Sequence, residues 1–320
     1  MHIFITGVAG AIGSHVAEAF RLSGHEVVGI DNLDSYYATA IKELNLRDVT
    51  GKGVRVIRDD LVTGDLAAHI PEETEFIFHF AAQPGISAGT PFDHYIRNNI
   101  QATQRLLTRA ETLPNLKALV YISTSSVYGK SARGAEDELP RPTSGYGVTK
   151  LASEQLALSR FRTTGLPVIA LRLFSVYGPR ERPEKLYHKL TQAILTDTPF
   201  PLHEGAGEHM RSFTFVGDVV QAMERVLTHY PKTIGEIINI GTDNVHSTAE
   251  GIRTVETILG KRADIVLVPR RSGDQQETEA SIGKAKELLD FTPKFALADG
   301  LAAQIRWHKD RLLPHMKEGQ

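Results

Sequence analysis

The chain predicts an α/β fold: a doubly wound parallel sheet followed by a smaller C-terminal α/β lobe. Three observations predict it. Short β-branched or aromatic runs alternate with helix-length amphipathic stretches through the first half. A GxxGxxG loop, Gly7-Val8-Ala9-Gly10-Ala11-Ile12-Gly13, joins the first run directly to the first helical stretch. An acid, Asp31, closes the second run, near the ~20 residues past the loop where a ribose-binding carboxylate belongs.

Taken in order, residues 2–6, 26–30, 54–58, 75–80, 117–122 and 168–171 read as strands. Helical patterns lie between them, clearest at 11–22, 95–111 and 148–161. Runs such as Phe76-Ile77-Phe78 and Ala118-Leu119-Val120 are apolar throughout, as strands covered on both faces are. After Arg172 the rhythm changes, and Gly178-Pro179, Pro183, Pro199, Pro201, Gly205 and Gly207 punctuate short elements. Residues 213–215, a helix over 217–229 and a strand over 236–240 read as a return to the main sheet. Helices near 249–259 and 297–309 are assigned to the smaller lobe. The expected division is 1–173 with a returning segment at about 213–242, against 174–212 and 243–320.

Composition narrows the function classes. The formal net charge of −2 offers no basic field to a nucleic acid or a membrane surface. There is no cysteine, so disulfides, thiolate metal sites and a cysteine nucleophile are excluded. No apolar stretch approaches the ~20 residues of a membrane span, and the first residues enter a strand at once. A soluble, cytoplasmic protein is expected. Thirteen histidines invite a metal reading, but His203 and His209 lie in a glycine-rich loop without helical i, i+4 spacing, and no metal is expected.

The glycine loop is the signature of a Rossmann-type dinucleotide site. Gly7 allows the tight turn, Gly10 admits a pyrophosphate to the backbone, and Gly13 lets helix and strand pack closely. The diphosphate then rests on free N–H groups at the helix start, around Ala11 and Ile12. Asp31 accepts hydrogen bonds from ribose hydroxyls and repels a 2′-phosphate, so NAD is favoured over NADP. Asn32 follows it, and Asp60-Leu61, after the third strand, is placed to meet the adenine edge or to serve as a loop acid.

Tyr146-x-x-x-Lys150 supplies the chemistry. Side chains four apart on a helix are neighbours. The Lys150 ammonium is therefore expected to favour the Tyr146 phenolate and bring its pKa below the usual value of about 10. Such a phenol shuttles protons near neutral pH.

These features, with Phe80-Ala81-Ala82-Gln83, Ser123-Thr124-Ser125-Ser126-Val127-Tyr128-Gly129, Arg172-Leu173-Phe174-Ser175-Val176-Tyr177-Gly178-Pro179, Arg211-Ser212-Phe213-Thr214-Phe215 and Arg271-Ser272-Gly273-Asp274, run in an order that resembles one family. It is the extended short-chain dehydrogenase/reductase family, in its nucleotide-sugar epimerase and dehydratase branch. The resemblance implies tightly bound NAD and a C-terminal lobe that holds the nucleotide diphosphate of a UDP-sugar. It implies Tyr146 as the base, Lys150 as the group orienting the nicotinamide ribose, and Thr124 as the hydroxyl sharing the proton of the sugar O4. Asn99 falls where the family has a structural or cofactor-near asparagine, and Ala81 and Ala82 are small where the cofactor passes. Arg211 and Arg271 are expected on the diphosphate and Asp274 on a ribose hydroxyl. A homodimer through the helices following Pro91 and Tyr146 is also implied.

Relatives that dehydrate or decarboxylate the sugar carry acids after the catalytic threonine. Here Ser125 and Ser126 stand in those places, and neither can act as a carboxylic acid. With Tyr146 and Thr124 alone to move protons, the economical outcome is C4 epimerisation, with a dehydratase, decarboxylase or reductase as the alternative and a silent NAD-binding regulator as a remote one. The run Gly178-Pro179-Arg180-Glu181-Arg182-Pro183 resembles that of uronate 4-epimerases, where the arginine before the proline grips the C5 carboxylate, a contact suited to a guanidinium. The stretch from Asp31 through Tyr36 and Tyr37 resembles the same branch. Two positions depart from it. Ser87, shortly after Pro84, replaces an arginine, and Ser175 stands where threonine or asparagine is usual. A neutral sugar, UDP-glucose or an N-acetylhexosamine, therefore stays open beside UDP-glucuronate.

Overall fold

The computed structural model describes residues 1–85, 89–270 and 277–318. Seven parallel strands form the central sheet: β1 (His2–Thr6), β2 (Glu26–Asp31), β3 (Arg55–Arg58), β4 (Phe76–His79), β5 (Ala118–Thr124), β6 (Val168–Leu173) and β7 (Ile237–Ile240). Their spatial order is β7-β6-β5-β4-β1-β2-β3. The winding reverses between β1 and β4, so a crevice opens beyond the carboxyl ends of these strands, where open α/β sheets bind ligands.

Period-two alternation builds both faces. Ile3 and Ile5 of β1 enter one core with Val16, Ala17 and Phe20 of α1 (Ala11–Leu22) and with Leu46 and Val49 of α2 (Thr39–Gly51). Phe4 enters the other, against Leu106, Leu107 and Leu158. The latter leucine belongs to α3 (Gly145–Thr164), which opens with Ser144 accepting from the Gly147 amide and stops at Gly165 in the left-handed region. Every residue of β4, β5 and β6 is buried, as their apolar runs demand.

Three expectations are corrected. β5 and β6 each run further than their apolar cores, because the ladder continues with Ser123 opposite Arg172 and Thr124 opposite Leu173. Residues Thr214–Phe215 do not rejoin the main sheet; they pair in parallel with Val176–Tyr177 in a separate two-stranded sheet. Only β7 and α4 (Val216–Thr233), which packs into the α1 side of the core, return. The helical stretch 92–110 is interrupted by a π-helical turn, Ile96–Gln101. An extra residue per turn is common where a helix meets a site.

Outside the sheet, Tyr177, Tyr187, Leu190, Ile252 and Leu301 form a further core. Met210–Arg211 lies between His246–Ser247 and Glu277–Thr278 in a small mixed sheet. Among the described residues, no helix is long and apolar enough to cross a membrane.

Candidate active site

One cleft of about 660 Å³ runs along the carboxyl ends of the strands, and most of the residues singled out by sequence line it. Its floor at one end is the glycine loop. Gly7 sits at φ +73°, and a Cβ there would lie 2.7 Å from the Ala81 amide nitrogen. A Cβ on Gly13 would run into the Gly7 carbonyl oxygen. No side chain caps α1, so the amides of its first turn, at Ala11 and Ile12, are open to the cleft. A bare helix start behind a loop that tolerates only glycine fits a dinucleotide diphosphate.

Asp31 lies at the end of β2, its Oδ2 accepting from the Ala9 amide at 2.9 Å and its Oδ1 from Leu33 at 2.9 Å. Burial raises its pKa, against these bonds and the nearby Lys42 cation. Each oxygen keeps a lone pair for a ribose hydroxyl. Asn32 donates to Asp60 Oδ2 at 2.7 Å, and Asp60 also takes both arms of Arg97, at 3.0 and 3.1 Å. Burial opposes ionisation of Asp60, but these bonds hold its carboxyl below the usual range. Asp60 therefore clamps the helical stretch 92–110 as well as lining the cleft with Leu61.

Ala81 and Ala82 line the wall between β4 and the cleft, followed by Pro84. Asn99 does not. It is 1% exposed, accepts from the Gln83 amide at 2.7 Å and donates to Thr149 at 2.9 Å. It braces the Gln83 turn against α3, and the π-helical turn presents Asn98 to the cleft instead.

At the middle of the cleft the Tyr146 phenol and the Thr124 hydroxyl are neighbours, and both line it. Thr124 ends β5, its Oγ1 accepting from the Ser126 amide at 3.2 Å, and Ser125 and Ser126 line the cleft beside it. The expected lowering of the Tyr146 pKa by Lys150 does not hold. Burial raises it, and the cation opposing that rise is Arg182, helped by the Thr124 hydrogen bond. Lys150 is turned toward β5 instead. Its Nζ donates to the Ile122 carbonyl at 2.5 Å and lies 4.3 Å over the Tyr121 ring. Burial draws its pKa down to about 7, with Glu154 acting in the opposite sense.

The far wall is the loop after β6. Ser175 lines it at φ +32°, a conformation that L-residues rarely adopt and that clusters at ligand sites. Of the two arginines that follow, Arg180 is structural: its Nη2 binds Glu18 at 2.6 Å and Asp48 at 3.0 Å, pinning the loop to α1 and α2. Arg182 faces the cleft, its Nη1 2.8 Å from Glu184 Oε1. Arg211 lines the same wall. Ser87, Arg271 and Asp274 lie outside the described residues.

Several lining residues escaped the sequence reading. Lys42, 7% exposed, donates to the Asp34 carbonyl at 2.5 Å beside Asp31. Glu181 lines the cleft with its carboxyl pushed up to about 7 by burial, while accepting from the His188 amide and Gln304 at 2.9 and 2.7 Å. Glu184, Lys185 and Lys189 complete that wall. The run Arg180-Glu181-Arg182-Pro183 did point at this loop; no spacing in the sequence points at Lys42. Among the described residues, no group of three or more His, Asp or Glu could hold a metal ion, and His203 bonds the Pro269 carbonyl at 2.6 Å.

Comparison with known proteins agrees with this geometry. The profile of the NAD dependent epimerase/dehydratase family matches residues 3–241. The chain is 38% identical over 312 residues to a Bacillus subtilis (strain 168) protein described as an uncharacterized UDP-glucose epimerase, YtcB, covering 96% of this chain and 98% of that one. Among solved structures, a UDP-glucuronic acid 4-epimerase from Bacillus cereus, in complex with UDP-glucuronic acid and NAD, superposes with a TM-score of 0.92 at 37% identity, over 97% of this chain and 99% of the other. MoeE5 in complex with UDP-glucose and NAD gives a TM-score of 0.87 at 36% identity, over 98% and 100%.

Proposed function

We propose, for a chain that belongs to the NAD dependent epimerase/dehydratase family, that it is an NAD-dependent UDP-sugar C4-epimerase with a hexuronate as its preferred sugar. Residues 1–173 with about 216–242 hold the dinucleotide, and the remainder holds the nucleotide sugar. The observation that carries the reading is that Tyr146 and Thr124 meet in the cleft, with hydroxyls rather than acids at Ser125 and Ser126.

Bound NAD supplies the acceptor and donor of the C4 hydride. Tyr146 removes the O4 proton, with the Thr124 hydroxyl beside it to share that proton. With the proton held on this pair, the 4-keto sugar turns over in the cleft and regains its proton from Tyr146 with the opposite configuration. The acids nearest the loop are already engaged, Glu181 by His188 and Gln304 and Glu184 by Arg182. That arrangement supports epimerisation over loss of water.

Arg182 supports the uronate, since a guanidinium can take a sugar carboxylate in two parallel hydrogen bonds. A second reading, a neutral hexose, is favoured by the Arg182–Glu184 contact, which already neutralises that cation, and by the UDP-glucose bound to MoeE5. Phe92 and Val148, 52% and 46% exposed on the two helical stretches expected at a dimer seam, support a homodimer.

The test is incubation of the purified protein, without added cofactor, with UDP-glucuronate, UDP-glucose and UDP-N-acetylglucosamine separately, and NMR of the products. Equilibration of one with its C4 epimer is the expected result. Carbon dioxide or a 6-deoxy-4-keto product would overturn it.

A further inference from the structure

Beneath the cleft lies an ion pair that the chemistry above does not use. Glu154 is 0% exposed and Arg172, the largest fully buried side chain described, is 1% exposed. The pair is bidentate, Arg172 Nη2 to Glu154 Oε1 at 2.7 Å and Nε to Oε2 at 3.0 Å. Ser123 donates to Glu154 Oε2 at 2.6 Å. The remaining arm of Arg172 donates to the Tyr128 hydroxyl at 2.8 Å, which donates in turn to Asn239 Oδ1 at 2.8 Å. One network thus joins α3, β5, β6, the turn after β5 and β7.

Its placement is specific. Tyr146, Lys150 and Glu154 recur at i, i+4 and i+8 on α3, so they share one face of the helix. Ser123 immediately precedes Thr124 on β5. The two hydroxyls assigned to the sugar O4 therefore hang from elements that meet on a single carboxylate.

Burying two charges costs several kcal/mol per ion, and a well-packed apolar pair of similar volume commonly holds a fold as well or better. Core filling alone does not call for charges here. What an apolar pair lacks is direction: a fork-to-fork contact fixes both the rotation of α3 and its height against β5 and β6.

We propose that Glu154 and Arg172 are positioning residues, a buried clamp that sets the registry of Tyr146 and Lys150 on α3 against Thr124 on β5. The proposal rests on the assignment of Tyr146 and Thr124 as the proton-handling pair, whichever sugar is used. A misplacement of about 1 Å costs roughly 10²-fold in rate, so the clamp acts on turnover rather than on binding. Glu154 also faces Lys150 from one turn away, together with Tyr121 of β5 and His79 of β4.

Three variants of the full-length protein with its bound NAD test this: Ser123→Ala, Glu154→Gln and the double apolar Glu154→Met/Arg172→Met. Each is scored for kcat, KM, NAD content, melting temperature and the pH profile of kcat. Glu154→Gln should lower kcat by about 10²-fold with KM within a factor of about two, and should move the near-neutral break of its pH profile to lower pH as Lys150 loses its anionic support. The double variant should recover the melting temperature without recovering kcat. Ser123→Ala should lower kcat severalfold with the melting temperature unchanged. Recovery of kcat together with stability in the double variant would reduce the pair to scaffolding and overturn the proposal. So would unchanged kcat in Ser123→Ala, the variant that decides if the others do not fold. A parent protein inactive on every UDP-sugar would instead overturn the epimerase reading. In that case, release of NAD from Glu154→Gln and not from the double variant counts against the clamp, and retention in both counts for it.

Discussion

Arg182 Nη1 lies 2.8 Å from Glu184 Oε1, two residues further along the loop, and both face the cleft that holds Tyr146. The same guanidinium opposes the burial that raises the Tyr146 pKa. One side chain therefore has two relations, to a carboxylate and to the base, and substitutions must separate them.

Arg182→Lys keeps the charge near Tyr146 and removes the planar fork. It should raise KM for UDP-glucuronate by about 10-fold or more, the scale of one lost charge-assisted hydrogen bond, and leave UDP-glucose nearly unchanged. Glu184→Gln frees the guanidinium and should shift preference toward the uronate. Parallel measurement of kcat/KM on both sugars checks this. Equal losses on both would remove the carboxylate role of Arg182.

Tyr146→Phe deletes the phenol and leaves the ring packed. Loss of a general base costs about 10²–10⁴-fold, so turnover should fall within that range while NAD stays bound. Thr124→Val should be milder, since Tyr146 keeps its hydroxyl. In the parent, burial places the phenol pKa above its ordinary value, so kcat should climb with pH on the acid side of neutrality, up to the break that Lys150 sets at about 7. Flat profiles together with full activity in Tyr146→Phe would assign the proton to another group.

Much of this site was legible because local chemistry and global position coincide. β1 and α1 have the bounds read from sequence, since an apolar run, a glycine loop and a helical period each have a sharp edge. The placement of Asp31 and Thr124 in the cleft was legible from spacing and motif. Thr214–Phe215 was read into the wrong sheet because a short β-prone run does not encode its partner; Val176–Tyr177 reaches it first. The Tyr146 pKa was misjudged for a similar reason. Helical spacing puts Lys150 near the phenol, but its ammonium is satisfied by the Ile122 carbonyl and the Tyr121 ring, which lie on β5, far from it in sequence. Lys42 was invisible because a lysine reads as solvated until the tertiary fold buries it.

Asp31 offers a test of the dinucleotide end. Its carboxylate accepts two backbone amides of the surrounding loops and retains lone pairs toward the cleft. Asp31→Asn keeps the shape, halves the acceptors and removes the charge that would repel a 2′-phosphate. NAD affinity should fall by roughly 10–100-fold, the scale of charged hydrogen bonds, and discrimination against NADP should narrow. Titration of both dinucleotides into cofactor-stripped protein measures it. An unaltered NAD-to-NADP ratio would place cofactor selection elsewhere.

His79 predicts how the cradle responds to acid. It is 1% exposed at the end of β4, between Thr6 Oγ1 at 2.7 Å and Thr103 Oγ1 at 2.9 Å. Thr103 donates its own hydroxyl to the Asn99 carbonyl, so His79 Nε2 must donate to Thr103 and Nδ1 must accept from Thr6. Thr6 in turn accepts from the Ala81 amide, behind Gly7. The ring is neutral, and burial first, then the Lys150 cation, draws its pKa from 6.5 to about 3. Between those values the unfolded chain binds a proton that the folded one refuses, so stability rises with pH across that window and is lost as pH falls below 6.5. Each pH unit below 6.5 should cost about 1.4 kcal/mol through this residue alone. His79→Gln, which cannot ionise, should flatten the dependence of the urea midpoint on pH between about 4 and 6.5. An equally steep slope in that variant would move acid sensitivity to other buried groups, of which His308, drawn to about 3, is the next candidate.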